Sequence, residues 1–90
     1  MAVSHITYTV TTVPTQIFVA PTGVELARVY VNNHDNAAVY VGGNDVAVSG
    51  SKRGFTIVKD SNYDFELNAG EGLWAISDTS AQVSVLAFGV

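Results

Sequence analysis

Ninety residues and 9.5 kDa make one small domain, with no cysteine and a net charge of −4. The missing cysteine excludes a disulfide framework, a thiolate metal site and a thiol nucleophile. The four cations Arg28, Lys52, Arg53 and Lys59 form no stripe, so neither a nucleic-acid partner nor a membrane partner is expected, because both are bound by clustered positive charge.

Val, Ile and Thr supply 27 residues against four Leu, a bias toward pleated sheet. The first thirteen residues lack a basic n-region and an unbroken apolar run, so no targeting segment is read there and synthesis in the cytoplasm is expected. Strict alternation predicts a first strand over 4–13, with Ile6, Tyr8 and Val10 on one face and Thr7, Thr9 and Thr11 on the other. Its threonine face suits a solvated edge strand or docking arm over residues 1–13. A short strand follows at 16–19.

The stretch Ala27-Arg28-Val29-Tyr30-Val31 is echoed ten residues later by Ala37-Ala38-Val39-Tyr40-Val41. Strands over 25–32 and 37–42 are therefore expected to form a hairpin turning at Asp35. Val29 would oppose Val41 and Val31 would oppose Val39 on one face, with Tyr30 against Tyr40 on the other. Asn32, Asn33 and Asn36 supply the residues that tolerate left-handed backbone in the turn. Gly42-Gly43-Asn44-Asp45 then reads as a turn needing positive φ.

Further strands are expected at 46–48, 54–59, 62–68 and 72–77. Tyr63, Phe65 and Leu67 alternate onto a core face, and Gly72–Ile76 is apolar on both faces, as in a central strand. A ninth strand over 81–88 sends Val83, Val85 and Ala87 inward and leaves Leu86 and Phe88 outward. It is either central and covered on both sides or in contact with another chain. Short strands separated by turn clusters indicate one all-β domain over residues 1–90, an antiparallel jelly-roll-like sandwich or a barrel of about eight strands.

Residues able to do chemistry are few. His34-Asp35 lies in a turn, where adjacent side chains do not form a base and its orienter. Asp60, Asp64 and Glu66 lack the spacing of a calcium loop, and no glycine loop precedes a helix to hold an anion. No catalytic residue, metal or cofactor is expected. Tyr30, Tyr40 and Trp74 are the aromatics that could stack on a sugar, although aromatic pairs also stabilise sheets without a ligand. A small domain with no disulfide and few metal ligands gains stability most readily by oligomerising or by docking on a larger body.

Val39-Tyr40-Val41-Gly42-Gly43-Asn44-Asp45-Val46, then Gly54-Phe55-Thr56-Ile57, Phe65-Glu66-Leu67-Asn68-Ala69-Gly70-Glu71-Gly72-Leu73-Trp74-Ala75-Ile76-Ser77 and Val83-Ser84-Val85-Leu86 resemble small structural proteins of tailed bacteriophages over roughly residues 25–88. The resemblance implies a β-sandwich at the virion surface, with a head decoration (cement) protein as the nearest role. It implies a homotrimer on the outer capsid that braces neighbouring capsomers, with the major capsid protein as partner. Thr7, Thr9 and Thr11 are the expected capsid grip, and Tyr30, Tyr40, Leu86 and Phe88 the expected contacts. The alternative is another virion component, a head-fibre, tail or adhesin domain that binds glycan or a host receptor.

Overall fold

The computed structural model describes residues 3–23 and 26–88. Eight strands follow in chain order: β1 (Val3–Val10), β2 (Thr15–Val19), β3 (Leu26–Asn33), β4 (Val39–Gly42), β5 (Phe55–Ile57), β6 (Asn62–Asn68), β7 (Gly72–Ser77) and β8 (Ala81–Phe88). One turn of 3-10 helix, Gly50–Lys52, precedes β5. The expected strand start at 25 lies outside the described residues.

Sheet I runs β1-β8-β3-β6 and sheet II runs β2-β7-β4-β5, with every neighbouring pair antiparallel. This is the two-sheet jelly-roll connectivity, in which successive strands alternate between sheets over much of the chain. A sandwich, not a closed barrel, is therefore the architecture. Strand β7 is central in sheet II, as its two-sided apolar pattern implied.

The core lies between the inner faces. Val29, Val31, Val83 and Val85 of sheet I share it with Ile17, Val39, Val41 and Ile57 of sheet II. Branched Cβ atoms suit this site because their stiff χ1 angles cost little further entropy on a pleated surface. Phe65 and Leu67 pack at its margin, whereas Tyr63, expected in the core with them, remains 42% exposed.

The expected hairpin of 25–32 with 37–42 does not form. Strand β3 pairs with β6 and β8, and β4 pairs with β5 and β7, so the echoed segments lie in opposite sheets. Both sets of valines enter one core, but across the sandwich rather than edge to edge. The alternation that buries a valine row is the same for either arrangement, because it fixes a face and not a neighbour.

The fully buried Asn33 makes the crossing between sheets possible. Its side-chain amide donates to the carbonyls of Ala37 at 2.9 Å and Ile57 at 2.8 Å, and its oxygen accepts from the Asp35 N–H at 2.9 Å. Ser77, also buried, donates its hydroxyl to the Ala38 carbonyl at 3.0 Å. These bonds replace water for the backbone groups of the crossing segment.

Residues 46–48 are not a strand. Ala47 makes a lone parallel bridge with Arg53, and Val46 folds back over sheet II. Nor do Gly42 and Gly43 take positive φ; among the described glycines Gly50 and Gly70 do, at 82° and 84°. At Gly42 the constraint is closeness instead: a Cβ there would lie 3.2 Å from the Val46 side chain, which would have to give by a few tenths of an ångström.

Candidate functional site

The outer face of sheet I carries no covering layer among the described residues, and register orders it into cross-strand rows. Val3, Phe88, Arg28 and Glu66 form one row; His5, Leu86, Tyr30 and Asp64 form the next; Thr7, Ser84, Asn32 and Asn62 form a third. Tyr30, Leu86 and Phe88 are half-buried against one another. The Tyr30 and Phe88 rings meet edge to face with centroids 5.6 Å apart, a favoured aromatic geometry. The face therefore grades from an apolar end at Phe88 to a hydroxyl- and amide-rich end at Thr7.

Charge frames the apolar end. Arg28 and Glu66 form an exposed ion pair at 3.0 Å. The hydrogen bond to Glu66 first, and then the neighbouring Tyr30 hydroxyl, raise the Arg28 guanidinium further above its ordinary value. At the other end Thr7 and Ser84 bring their hydroxyls to 3.5 Å, and His34 Nε2 lies 2.6 Å from Ser84 Oγ. The Asp35 carboxylate is directed elsewhere, accepting the Gln82 N–H at 2.7 Å. Among the described residues no three His, Asp or Glu side chains gather as a metal site.

Five of the seven sequence candidates share this face: Thr7, Thr9, Tyr30, Leu86 and Phe88. Strand β8 is central in its sheet yet, among the described residues, covered by protein on its inner side only, so Leu86 and Phe88 are screened by neighbours in their own sheet. Thr11 lies beyond β1, where its carbonyl accepts the Ser77 N–H at 2.9 Å and its hydroxyl accepts the Val13 N–H at 3.4 Å. It serves the junction between sheets.

Tyr40 is also elsewhere. It faces outward from sheet II but is 9% exposed, covered by Val46 and packed with Ile76. The segment 43–54 closes over it, and Arg53 sits above its ring at 5.7 Å, within cation–π range. Trp74 packs into the same cluster, so Tyr30 and Tyr40 form no pair and Tyr40 and Trp74 form no open platform. The alternation correctly turns both tyrosines outward; a loop then covers one of them.

A second aromatic group was not anticipated. Phe55 of β5 meets Tyr63 at 4.7 Å and Phe65 at 6.0 Å, both edge to face, across the open side where the two sheets end. Phe55 and neighbouring Val58 are more than half exposed. The only sequence signal was Phe55 directly after Gly54, a position where a Cβ would lie 2.7 Å from the Val41 carbonyl oxygen.

On the opposite open side, a shallow apolar cleft lies between β1 and β2, lined by Ser4, Ile6, Tyr8, Ile17, Phe18 and Val85. Ile6 faces inward yet is 50% exposed.

No protein-family model and no curated protein matches the chain. Among solved structures, a chain from the Bacillus endospore appendages, described as a novel family of disulfide-linked pili, aligns with a TM-score of 0.55 at 8% identity. The alignment covers 96% of the present chain and 82% of that one. At this identity the similarity is one of fold, and the sequence here has no cysteine for a disulfide link.

Proposed function

We propose that this chain is a virion structural protein, a capsid decoration (cement) protein that oligomerises on the outer head surface and stabilises neighbouring capsomers without catalysing a reaction. The observation that carries the reading is the uncovered face of sheet I, with the apolar cluster Tyr30, Leu86 and Phe88 at one end and the hydroxyls of Thr7 and Thr9 at the other. The phage resemblance of residues 25–88 adds the setting, and with it the trimer and the major capsid protein as partner.

The physical logic is one of many weak contacts. A few hundred Å² of apolar area per chain contributes on the order of 10 kcal/mol at about 25 cal/mol per Å², before ordering costs. Repetition over a lattice multiplies such contacts by avidity. Only 13% of the residues are charged, so neighbouring copies repel little.

The test is the mass of the purified chain, alone and with empty phage heads. Leu86→Glu with Phe88→Glu is expected to leave a folded protein that no longer assembles through this face or decorates heads. Unchanged assembly and unchanged head binding overturn the assignment. Binding of the isolated domain to a glycan array, centred on Tyr30 and independent of heads, would favour the fibre, tail or adhesin alternative.

A further inference from the structure

Sheet edges expose unpaired N–H and C=O groups, and proteins ordinarily guard them with shortness, bulges, proline or charge. Three of the four edges here are guarded. Strand β5 is three residues long, β2 has a register break between Gln16 and Phe18, and β6 carries Asp64 and Glu66. Strand β1 has none of these devices: Val3–Val10 runs eight residues without a charged side chain or a proline, and pairs in unbroken register along β8.

The free groups of that edge can be identified. The Gln82 carbonyl accepts the His34 N–H at 3.0 Å and the Gln82 N–H goes to Asp35, so both groups point away from β1. Thr9, its opposite number, is then a non-hydrogen-bonded position. By alternation the backbone groups of Val3, His5, Thr7 and Thr9 face the open edge. On the inner side Ile6 stands half exposed, and on the outer side Val3 is 59% exposed.

We propose that β1 is a self-complementary docking edge for a second copy of this chain, the two strands pairing antiparallel about Ile6. In this register Thr7 opposes His5 of the second copy and Thr9 opposes its Val3, which satisfies every outward backbone group of residues 3–9. Ile6 meets its own counterpart at a non-hydrogen-bonded position, where side chains approach most closely. Ser4 and Tyr8 oppose each other beside it, so the cleft between β1 and β2 is covered from the flank.

The occupant follows from charge. Two chains of net charge −4 meet with least repulsion along a strip that has no carboxylate, whereas the β6 edge of a second copy would bring Asp64 and Glu66 to the seam. A strand seam alone falls short of the roughly 1,000 Å² of a stable interface, so the pairing depends on concentration. It leaves the outward threonine hydroxyls free and needs no virus particle, and thus stands apart from the decoration reading.

The experiment is the native mass of the full chain over a wide concentration range, with four variants. The wild type is expected to double its unit mass on concentration. Thr7→Pro removes an N–H that points to the open edge and none that bonds β8; it should melt near the wild type yet lose the doubling. Ile6→Cys, in a protein without cysteine, should oxidise to a covalent dimer, because opposed Cα atoms about 4.5 Å apart lie within disulfide range. Leu86→Glu with Phe88→Glu should keep that cross-link even where assembly through the sheet face is lost. A mass that never doubles, doubling that survives Thr7→Pro, or Ile6→Cys that stays single under oxidation overturns the proposal. Loss of doubling on Tyr63→Lys, on the opposite edge, does so too.

Discussion

The side-chain amide of Asn33 donates to the Ile57 carbonyl at 2.8 Å, joining the last residue of β3 in one sheet to the last residue of β5 in the other. Its backbone extends the tie: the Asn33 N–H donates to the Ser61 carbonyl and the Asp60 N–H donates to the Asn33 carbonyl. A single buried amide thus joins the crossing segment, the end of β5 and the turn into β6.

Asn33→Ala leaves the Ile57 and Ala37 carbonyls and the Asp35 N–H without this partner. At about 1–3 kcal/mol for each unsatisfied buried group, and with partial access of water to the turn, a loss of about 2–4 kcal/mol is expected in urea unfolding. Asn33→Asp should cost at least as much, because a carboxylate would face two carbonyl oxygens. A loss below 0.5 kcal/mol would show that water replaces the amide.

Gly54→Ala places a Cβ 2.5 Å from the Val46 side chain and 2.7 Å from the Val41 carbonyl oxygen. The segment over Tyr40 must lift, at a cost of about 1–3 kcal/mol as for other overpacked sites. Exposure of Trp74 and Tyr40 should accompany it, read as a red shift in tryptophan emission and faster proteolysis within 43–54.

Gly70 and Asp60 both adopt left-handed backbone, at φ 84° and 61°. A Cβ at Gly70 meets nothing within 4 Å, so Gly70→Ala isolates the conformational cost, about 1–2 kcal/mol. Asp60→Gly should be neutral or slightly stabilising. Paired denaturation curves check both signs.

Phe55→Ala removes two edge-to-face contacts, with Tyr63 and Phe65. At about 0.5–1.5 kcal/mol for each aromatic pair, and with half the ring already exposed, a loss of about 1–2 kcal/mol is expected. Arg28→Ala, which breaks an ion pair exposed on both sides, should leave the melting temperature unchanged within error. Because the Arg28 guanidinium is raised, its contribution is fully present below its unfolded value and is lost only as pH rises through the still higher folded value. The pH dependence of stability near neutrality should therefore owe nothing to this group.

The strand faces were legible in the sequence because period two is a local property: Val83 and Val85 inward, Leu86 and Phe88 outward, Thr7 and Thr9 outward. Neighbours were not legible. The Val29–Val31 and Val39–Val41 echo is satisfied equally by adjacent strands and by strands facing across a core, and the amide of Asn33 that selects the second has no periodic signature. Alternation turns Tyr40 outward but carries no sign that it is covered, since covering by Val46 depends on a loop whose own alternation imitates a strand. The contacts of Phe55 join strands from different sheets, a relationship that no local pattern encodes.

Strand β1 has one neighbour in its sheet, and that neighbour is β8. First of the described strands in chain order, β1 therefore has no place to settle until β8, the last of them, has been made. Closing so long a loop before any reward makes assembly of this sheet slow. For that interval the unguarded seam lies bare on both flanks, and a chaperone or a second nascent chain has its widest opportunity there.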